Sequence, residues 1–423
     1  MAQVGRQLAG LACGFVLLLM WSSSLFGAPG AAEPAGRMYL DELGQLHIGD
    51  EAGQGDINVL GVEVRHTLAE LNRLVQAQAE ELEQLEADRR AMRTTLLLNG
   101  AMAEPLTLEL PQPQDGAQFG YAVGIAGDRV AMGLPGYNGG QGSVYVHRRP
   151  RGQPWVAAIR DATLEGDAPG ANFGKALALD GTTLAVSQFF ATNATSVRIF
   201  DEGATATQTI LPAPALGVTP STRFGASLAL SNDLLFIGDP GARLFDVSDN
   251  VGAVFVYARA QPSAGTFALL QALTGNAMSS QLRFGLQLAA YGPELSVTSV
   301  LQPAAFQVNW FACTPQGCKR RHPAATFAST DDRGNTYQAA MALLPDALLL
   351  ASQGVDATGE VLIYHRLWDN TLAATPIRIP HPSPVTGSLF GCSIAVDDDA
   401  TLIVGAYRQP HDNITDGIAY LFP

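Results

Sequence analysis

A pattern of about 54 residues recurs six times through the last three quarters of this 423-residue chain, and this periodicity restricts the fold more than any other feature. The clearest copies begin at Asp115 (DGAQFGYAVGIAGDRVAMGLPGYNGGQGSVYVHRR), Ser221 (STRFGASLALSNDLLFIGDPGARLFDVSDNVGAVFVYAR) and Ser388 (SLFGCSIAVDDDATLIVGAYRQPHDNITDGIAYLF). Weaker copies begin at Asn172, Arg283 and Thr336. Each runs from Phe-Gly through an alternating strand, a tight polar turn, a second apolar strand, a Gly-rich loop and a third strand ending in aromatics. The anchors are Phe119, Phe173, Phe224, Phe284, Tyr337 and Phe390, spaced 54, 51, 60, 53 and 53 residues apart. A fourth strand is expected after each third one, at Trp155 to Leu164, Thr207 to Leu211, Thr266 to Leu273, Ala324 to Ala328 and Leu372 to Ile379. Four antiparallel strands per period of this length make a propeller blade. The last copy lacks its fourth strand, and a spare strand, Leu106 to Leu110, precedes the first copy. Pairing the two completes a sixth blade and leaves no open edge. The fold class is therefore all-β: a six-bladed β-propeller of four-stranded antiparallel blades closed by an N-terminal strand, preceded by an α-helical coiled-coil segment.

Three motifs mark the strong copies. They stand as Phe119-Gly120, Gly133-Leu134-Pro135 and Gly142 to Val146; as Phe224-Gly225, Gly238-Asp239-Pro240 and Gly252 to Tyr257; and as Phe390-Gly391, Gly405-Ala406-Tyr407 and Gly417 to Phe422. In the weak copies the second motif decays to Ser187-Gln188, Thr298-Ser299 and Ser352-Gln353. This set resembles FG-GAP repeats, the blade unit of the integrin alpha-chain propeller, over residues 105–423. The resemblance implies extracellular ligand binding or adhesion, with calcium in many members. Calcium-binding blades carry an aspartate-rich first turn. The turns here, such as Ala126-Gly127-Asp128-Arg129 and Asp397-Asp398-Asp399, are too short for about six to eight oxygens. They read as solvated hairpin turns. Asp246, Asp249 and Asn250 form one carboxylate-rich loop, without the spacing of a known calcium loop. No cofactor and no metal ligand set are expected, calcium being the alternative although its usual loops are absent.

Upstream, Arg6 precedes an apolar run from Leu8 to Trp21, then serines and small residues to Ala32. Residues 1–32 read as a secretory signal peptide, with an uncleaved signal anchor as the alternative and the only membrane contact expected. Residues 33–59 are a polar linker without an assignment. Over 60–98 the apolar period becomes seven: Val64, Leu68, Leu71, Val75, Leu82, Leu85, Met92 and Leu96 form a heptad seam with Gln78 and Arg89. A dimeric or trimeric coiled coil is expected, a single amphipathic helix lying on the next domain being the alternative. Secretion suits Cys313 and Cys318, which bracket a Thr-Pro-Gln-Gly turn and can close a hairpin by a disulfide. Cys392 sits in an apolar stretch and reads as a small buried hydrophobe. Asn193 and Asn413 head N-glycosylation acceptor tripeptides. The expected location is secreted or at the cell surface.

A formal charge of −14, from 25 Lys and Arg against 39 Asp and Glu, argues against a nucleic-acid partner. No nucleophile elbow, zinc-protease motif or phosphate loop is present, and no two of the seven histidines stand at metal-ligand spacing. The loops between second and third strands, and between blades, emerge on one side of a meander. They carry Tyr137, Asn138, Phe189, Phe190, Arg243, Phe245, Asp246, Tyr407, Arg408 and His411, and aromatics with arginines are the usual anchors of recognition surfaces. The alternative is that the phenylalanines only cap blade packing. The expected function is non-enzymatic binding of an extracellular protein or glycan, with avidity from a homo-oligomeric coil. The alternatives are a hydrolase or lyase using the central channel, which needs carboxylates or histidines where the inner strands offer Ala, Leu, Val and Gly, and a structural coat or wall component.

Overall fold

A computed structural model describes residues 37–40, 46–49, 58–59, 62–63, 69–78, 80–81, 84–85, 88, 92 and 104–423, the last span without 191–194, 204, 215, 232, 245–250, 262–263, 276–282, 302–304, 329–335, 354–357, 368–370 and 411–413. Two compact units divide the chain, residues 1–86 and 87–423. In the first, Arg37–Leu40 pairs with Leu46–Gly49 within the stretch that carried no assignment, and Asn58–Val59 pairs with Val62–Glu63, so the start of the 60–98 segment expected to be coiled coil is a strand instead. Residues 69–78 are helical, inside the heptad segment, and Leu71, Val75 and Leu85 of the seam are exposed. No helix among the described residues is long and apolar enough to cross a membrane. The signal or anchor segment lies outside the described residues.

The second unit holds six four-stranded antiparallel sheets. Their inner strands are Ala122–Ala126, Leu177–Asp180, Ser227–Ser231, Leu288–Tyr291, Thr336–Leu344 and Ser393–Val396. Each inner strand neighbours those of the blades before and after it, and the sixth meets the first, so the ring is closed. The sixth blade takes its outer strand from the other end of the sequence: Leu106–Leu108 pairs with Ile418–Phe422, Thr107 opposite Tyr420. This is the closure expected from the strand count.

The core is divided among the interfaces between neighbouring blades, with one apolar cluster at each of the six. Side chains alternate across a strand, so both faces of a middle strand are buried and its sequence reads as continuous apolar residues. In blade five, Leu348, Leu350, Leu362 and Tyr364 face blade four, while Leu349, Ala351, Val361 and Ile363 face blade six.

The Phe-Gly motif fastens one blade to the next. Phe119, Phe173, Phe224, Phe284 and Phe390 are fully buried. Each packs edge-on against the aromatic of its own third strand: Tyr145, Phe200, Phe255, Phe311 and Tyr420. Four anchors also donate their backbone N–H to the carbonyl just before the third strand of the preceding blade: Phe119 to Asp416 (2.6 Å), Phe173 to Gln141 (3.2 Å), Phe284 to Val251 (3.0 Å) and Phe390 to Thr358 (3.0 Å). The following residue in each case is glycine. At Gly142 (φ +79°) a Cβ would strike the backbone of Phe173, so only glycine admits so close an approach. The third strand of blade two starts at Thr195 without that glycine, and Phe224 donates instead to Ser221 (3.3 Å).

The second motif has a similar basis. Gly133, Gly238 and Gly405 lie against the Phe-Gly glycine carbonyl of the next blade. Where the motif decays, a hydroxyl serves the inner strand of its own blade: Ser187 Oγ accepts from Ala176 N (2.8 Å) and Thr298 Oγ1 from Gln287 N (2.9 Å).

Four expectations need correction. The fourth strand of blade five is Ile377–Pro380 and not Leu372 to Ile379, Leu372 making only an isolated bridge to Arg366. The fourth strand of blade one is Ile159–Glu165, because after Pro154 the chain makes a short 3-10 turn, Trp155–Ala157, that buries Trp155 beneath Arg149. Tyr337 does not open its blade with a Phe-Gly-like turn; it lies within the strand Thr336–Leu344, and the irregularity falls between Tyr337 and Met341. Asp397 is not solvated: it is buried, its Oδ1 accepts from the backbone N–H of Asp399 and Thr401, and only Asp398 and Asp399 of the acidic run are exposed.

Candidate functional site

The six inner strands start on the face where the loops between second and third strands emerge. They converge there on an axial cavity of about 810 Å³ lined from all six blades. Because each Phe-Gly turn ends at this rim, the residue just after it reaches the cavity: Tyr121, Lys175, Ala226, Leu286 and Cys392. The wall is therefore not limited to the Ala, Leu, Val and Gly expected from the inner strands.

Two sides of this mouth are chemically distinct. On one, Tyr121 of blade one and Tyr407 of blade six lie 4.8 Å apart between ring centroids. Burial raises both phenols above the ordinary tyrosine value. Beside them Cys392 directs its Sγ to the Gly120 carbonyl (3.6 Å), and burial pushes its thiol up to about 11. Cys392 stands just before the inner strand Ser393–Val396 on the cavity wall, its residue partly exposed while its thiol is desolvated.

On the other side, Lys175 of blade two places Nζ over the Phe189 ring at 5.3 Å. Next to it, in blade three, Arg223 follows a turn fixed by Asp239. The Asp239 carboxylate accepts from Ser221 N and Ser221 Oγ, both at 2.5 Å, and from Gly241 N at 3.0 Å. Burial raises the Asp239 carboxyl, and its hydrogen bonds and the nearby Arg223 charge oppose that rise. Lys175 and Arg223 are both exposed, and among the described residues no carboxylate lines the cavity. Nor do any three His, Cys, Asp or Glu side chains among the described residues form a group able to hold a metal ion.

Of the residues expected on the loop face, Phe189 and Tyr407 both line this cavity, Phe189 under Lys175 and Tyr407 against Tyr121. Arg408 is exposed beside Tyr407, its guanidinium 5.7 Å from that ring. Tyr137 and Asn138 do not line the cavity. Tyr137 packs edge-on to Tyr145 at 6.4 Å, and Asn138, at φ 50°, donates to Gln141 Oε1 at 2.7 Å. Phe190 is half-buried outside the lining, and Arg243 pairs with Thr219 in a two-residue ladder. Phe245, Asp246, His411, Asn193 and Asn413 lie outside the described residues. The Cys313–Cys318 disulfide is formed, across the hairpin that joins the third and fourth strands of blade four. Tyr121, Lys175 and Arg223 were missed. Their signal was positional, since Tyr121 and Lys175 both directly follow Phe-Gly.

No family model matches the chain, and no curated protein matches it. Among solved structures it is similar to a candidate oxidoreductase (glucose dehydrogenase) from Thermus thermophilus, at 14% identity and TM-score 0.43, covering 75% of this chain and 99% of that one. It is also similar to a candidate 6-phosphogluconolactonase from Bacteroides uniformis, at 11% identity and TM-score 0.42, covering 70% and 85%. The SapL1 lectin in complex with alpha methyl fucoside matches at 12% identity and TM-score 0.41, covering 73% and 96%. This chain is a six-bladed β-propeller. The expectation that this protein is not an enzyme is withdrawn: it rested on an axial wall of Ala, Leu, Val and Gly, and that wall carries a lysine, an arginine, tyrosines and a thiol.

Proposed function

We propose that this chain is an FG-GAP-type propeller, secreted or held at the cell surface, that recognises a protein or glycan ligand through the face where its inner strands begin. The observation that carries this reading is the convergence of Phe189 and Tyr407 with Tyr121, Lys175 and Arg223 around one cavity on that face. Aromatics with cations, set in a concave and partly apolar site, are the usual makings of a recognition surface. The Cys313–Cys318 disulfide supports an oxidising compartment. The exposed seam residues Leu71, Val75 and Leu85 support a second or third copy of the chain packing along the helix, which would multiply a weak contact into avidity.

Glycan-array and protein pull-down screens of the full chain test this reading. Capture of a defined ligand is expected, lost in a Tyr407→Ala/Arg408→Ala variant whose melting temperature is unchanged. Capture that the double substitution leaves intact would overturn it.

A further inference from the structure

Lysine occurs only twice in the sequence, at Lys175 and Lys319, and one of the two stands at the axial mouth. In a chain of net charge −14 the long-range field disfavours an anion almost everywhere. Among the described residues, the mouth gathers cations without a carboxylate in its lining. Lys175 and Arg223 come from adjacent blades, both reach solvent, and among the described residues no carboxylate lines the cavity to neutralise them. Asp239, whose carboxylate lies near Arg223, is committed to Ser221 and Gly241. The paired rings of Tyr121 and Tyr407, from blades one and six, add an apolar wall with hydroxyl tips, and Thr222 and Gln287 add polar groups to the lining. The volume of about 810 Å³ falls within the size range of small-molecule sites. A bare inorganic anion would use the cations and leave the aromatic wall idle, whereas a neutral sugar would do the reverse.

We infer that the axial mouth binds a carboxylated sugar, with the carboxylate between Lys175 and Arg223 and the ring against Tyr121 and Tyr407. The arginine supplies the fork that matches a carboxylate, and the lysine a compact charge. The tyrosines supply flat surface and hydroxyls for the ring. This site deepens the reading of that face as the recognition surface and rests on it. It adds the ligand class, an acidic sugar free in solution or at the end of a glycan.

Calorimetric titration of the full-length protein with D-glucuronate, D-glucose and acetate tests the site. Glucuronate is expected to bind, with glucose and acetate each weaker by at least about tenfold. Lys175→Met and Arg223→Gln, both at exposed positions, are each expected to weaken glucuronate by about tenfold or more with no change in melting temperature. Absence of glucuronate binding at millimolar concentration would overturn the inference, as would equal binding of glucose, or titrations that neither substitution alters. An array run beside the titrations separates the two readings. Ligand capture without glucuronate binding would overturn the carboxylated-sugar site alone. Glucuronate binding, with array capture that survives Tyr407→Ala/Arg408→Ala, would overturn the wider recognition face and leave the mouth in place.

Discussion

The backbone N–H of Phe119 donates to the Asp416 carbonyl at 2.6 Å, tying the first Phe-Gly turn to the last blade. The same bond recurs at three other blade junctions, so the repeat signature is the fastening between blades. At the ring's closure that bond is joined by the borrowed strand Leu106–Leu108 and by Ser393 Oγ donating to Gly120 O at 2.7 Å.

Deleting residues 104–110 is expected to cost roughly 4 kcal/mol or more, from three lost strand pairs and the burial of Leu106, Leu108 and Leu110. It would also leave Ile418–Phe422 as an open, apolar edge prone to pairing between molecules. Thermal melting with light scattering checks this. A deletion that melts like the parent and stays monodisperse would contradict closure by the N-terminal strand.

Glycine substitutions separate close approach from backbone preference. A Cβ at Gly405 would collide with the Gly120 carbonyl oxygen, whereas a Cβ at Gly127, at φ +59°, meets nothing within 4 Å. Gly405→Ala is therefore expected to destabilise by about 3 kcal/mol, and Gly127→Ala by only about 1 kcal/mol of left-handed strain. Urea unfolding of the two variants measures the difference.

Burial raises the Asp397 carboxyl to about 6, against the opposing backbone N–H of Thr401. The folded chain then holds this proton more tightly than the unfolded chain. The group's contribution to stability is therefore present at low pH and is lost as pH rises through about 6. Asp397→Asn keeps an oxygen acceptor for Asp399 and Thr401 while removing the buried charge. The variant is expected to exceed the parent by up to roughly 3 kcal/mol at pH 7 and to converge with it near pH 4. Paired unfolding curves at the two values decide; an offset independent of pH would contradict the assignment.

A thiol at about 11 is almost wholly protonated at neutral pH, and the thiolate is the reactive form. Alkylation of Cys392 at pH 8 is expected to run roughly a hundredfold slower than that of an unhindered cysteine and to accelerate toward pH 11. Peptide-resolved iodoacetamide labelling follows it. Rapid labelling at pH 7 would contradict a desolvated thiol.

Much of this architecture was legible because the information was local and repeated. Phe119-Gly120, Gly133 and Gly142 reappear at blade spacing, and the unpaired Leu106 to Leu110 had one vacant edge to fill. The Cys313–Cys318 disulfide was readable from the turn it brackets. The site was far less legible. Lys175 and Arg223 are single cations in separate copies, and only ring geometry brings them to one cavity from adjacent blades. Asp397 looked like any turn aspartate, since the packing that covers it comes from the folded blade around Ala400 and Thr401. Tyr337 matched the repeat spacing, yet blade five replaces the Phe-Gly turn by a longer, irregular strand, which spacing alone does not report.

The most direct test of the recognition face is hydrogen–deuterium exchange of the full chain with and without a captured ligand. Added protection is expected at 119–123, 172–177, 221–228, 389–394 and 405–409, the segments around the mouth. Protection confined to the opposite turns, at Gly127, Gly181, Asp346 and Asp398, with the mouth unchanged, would contradict it.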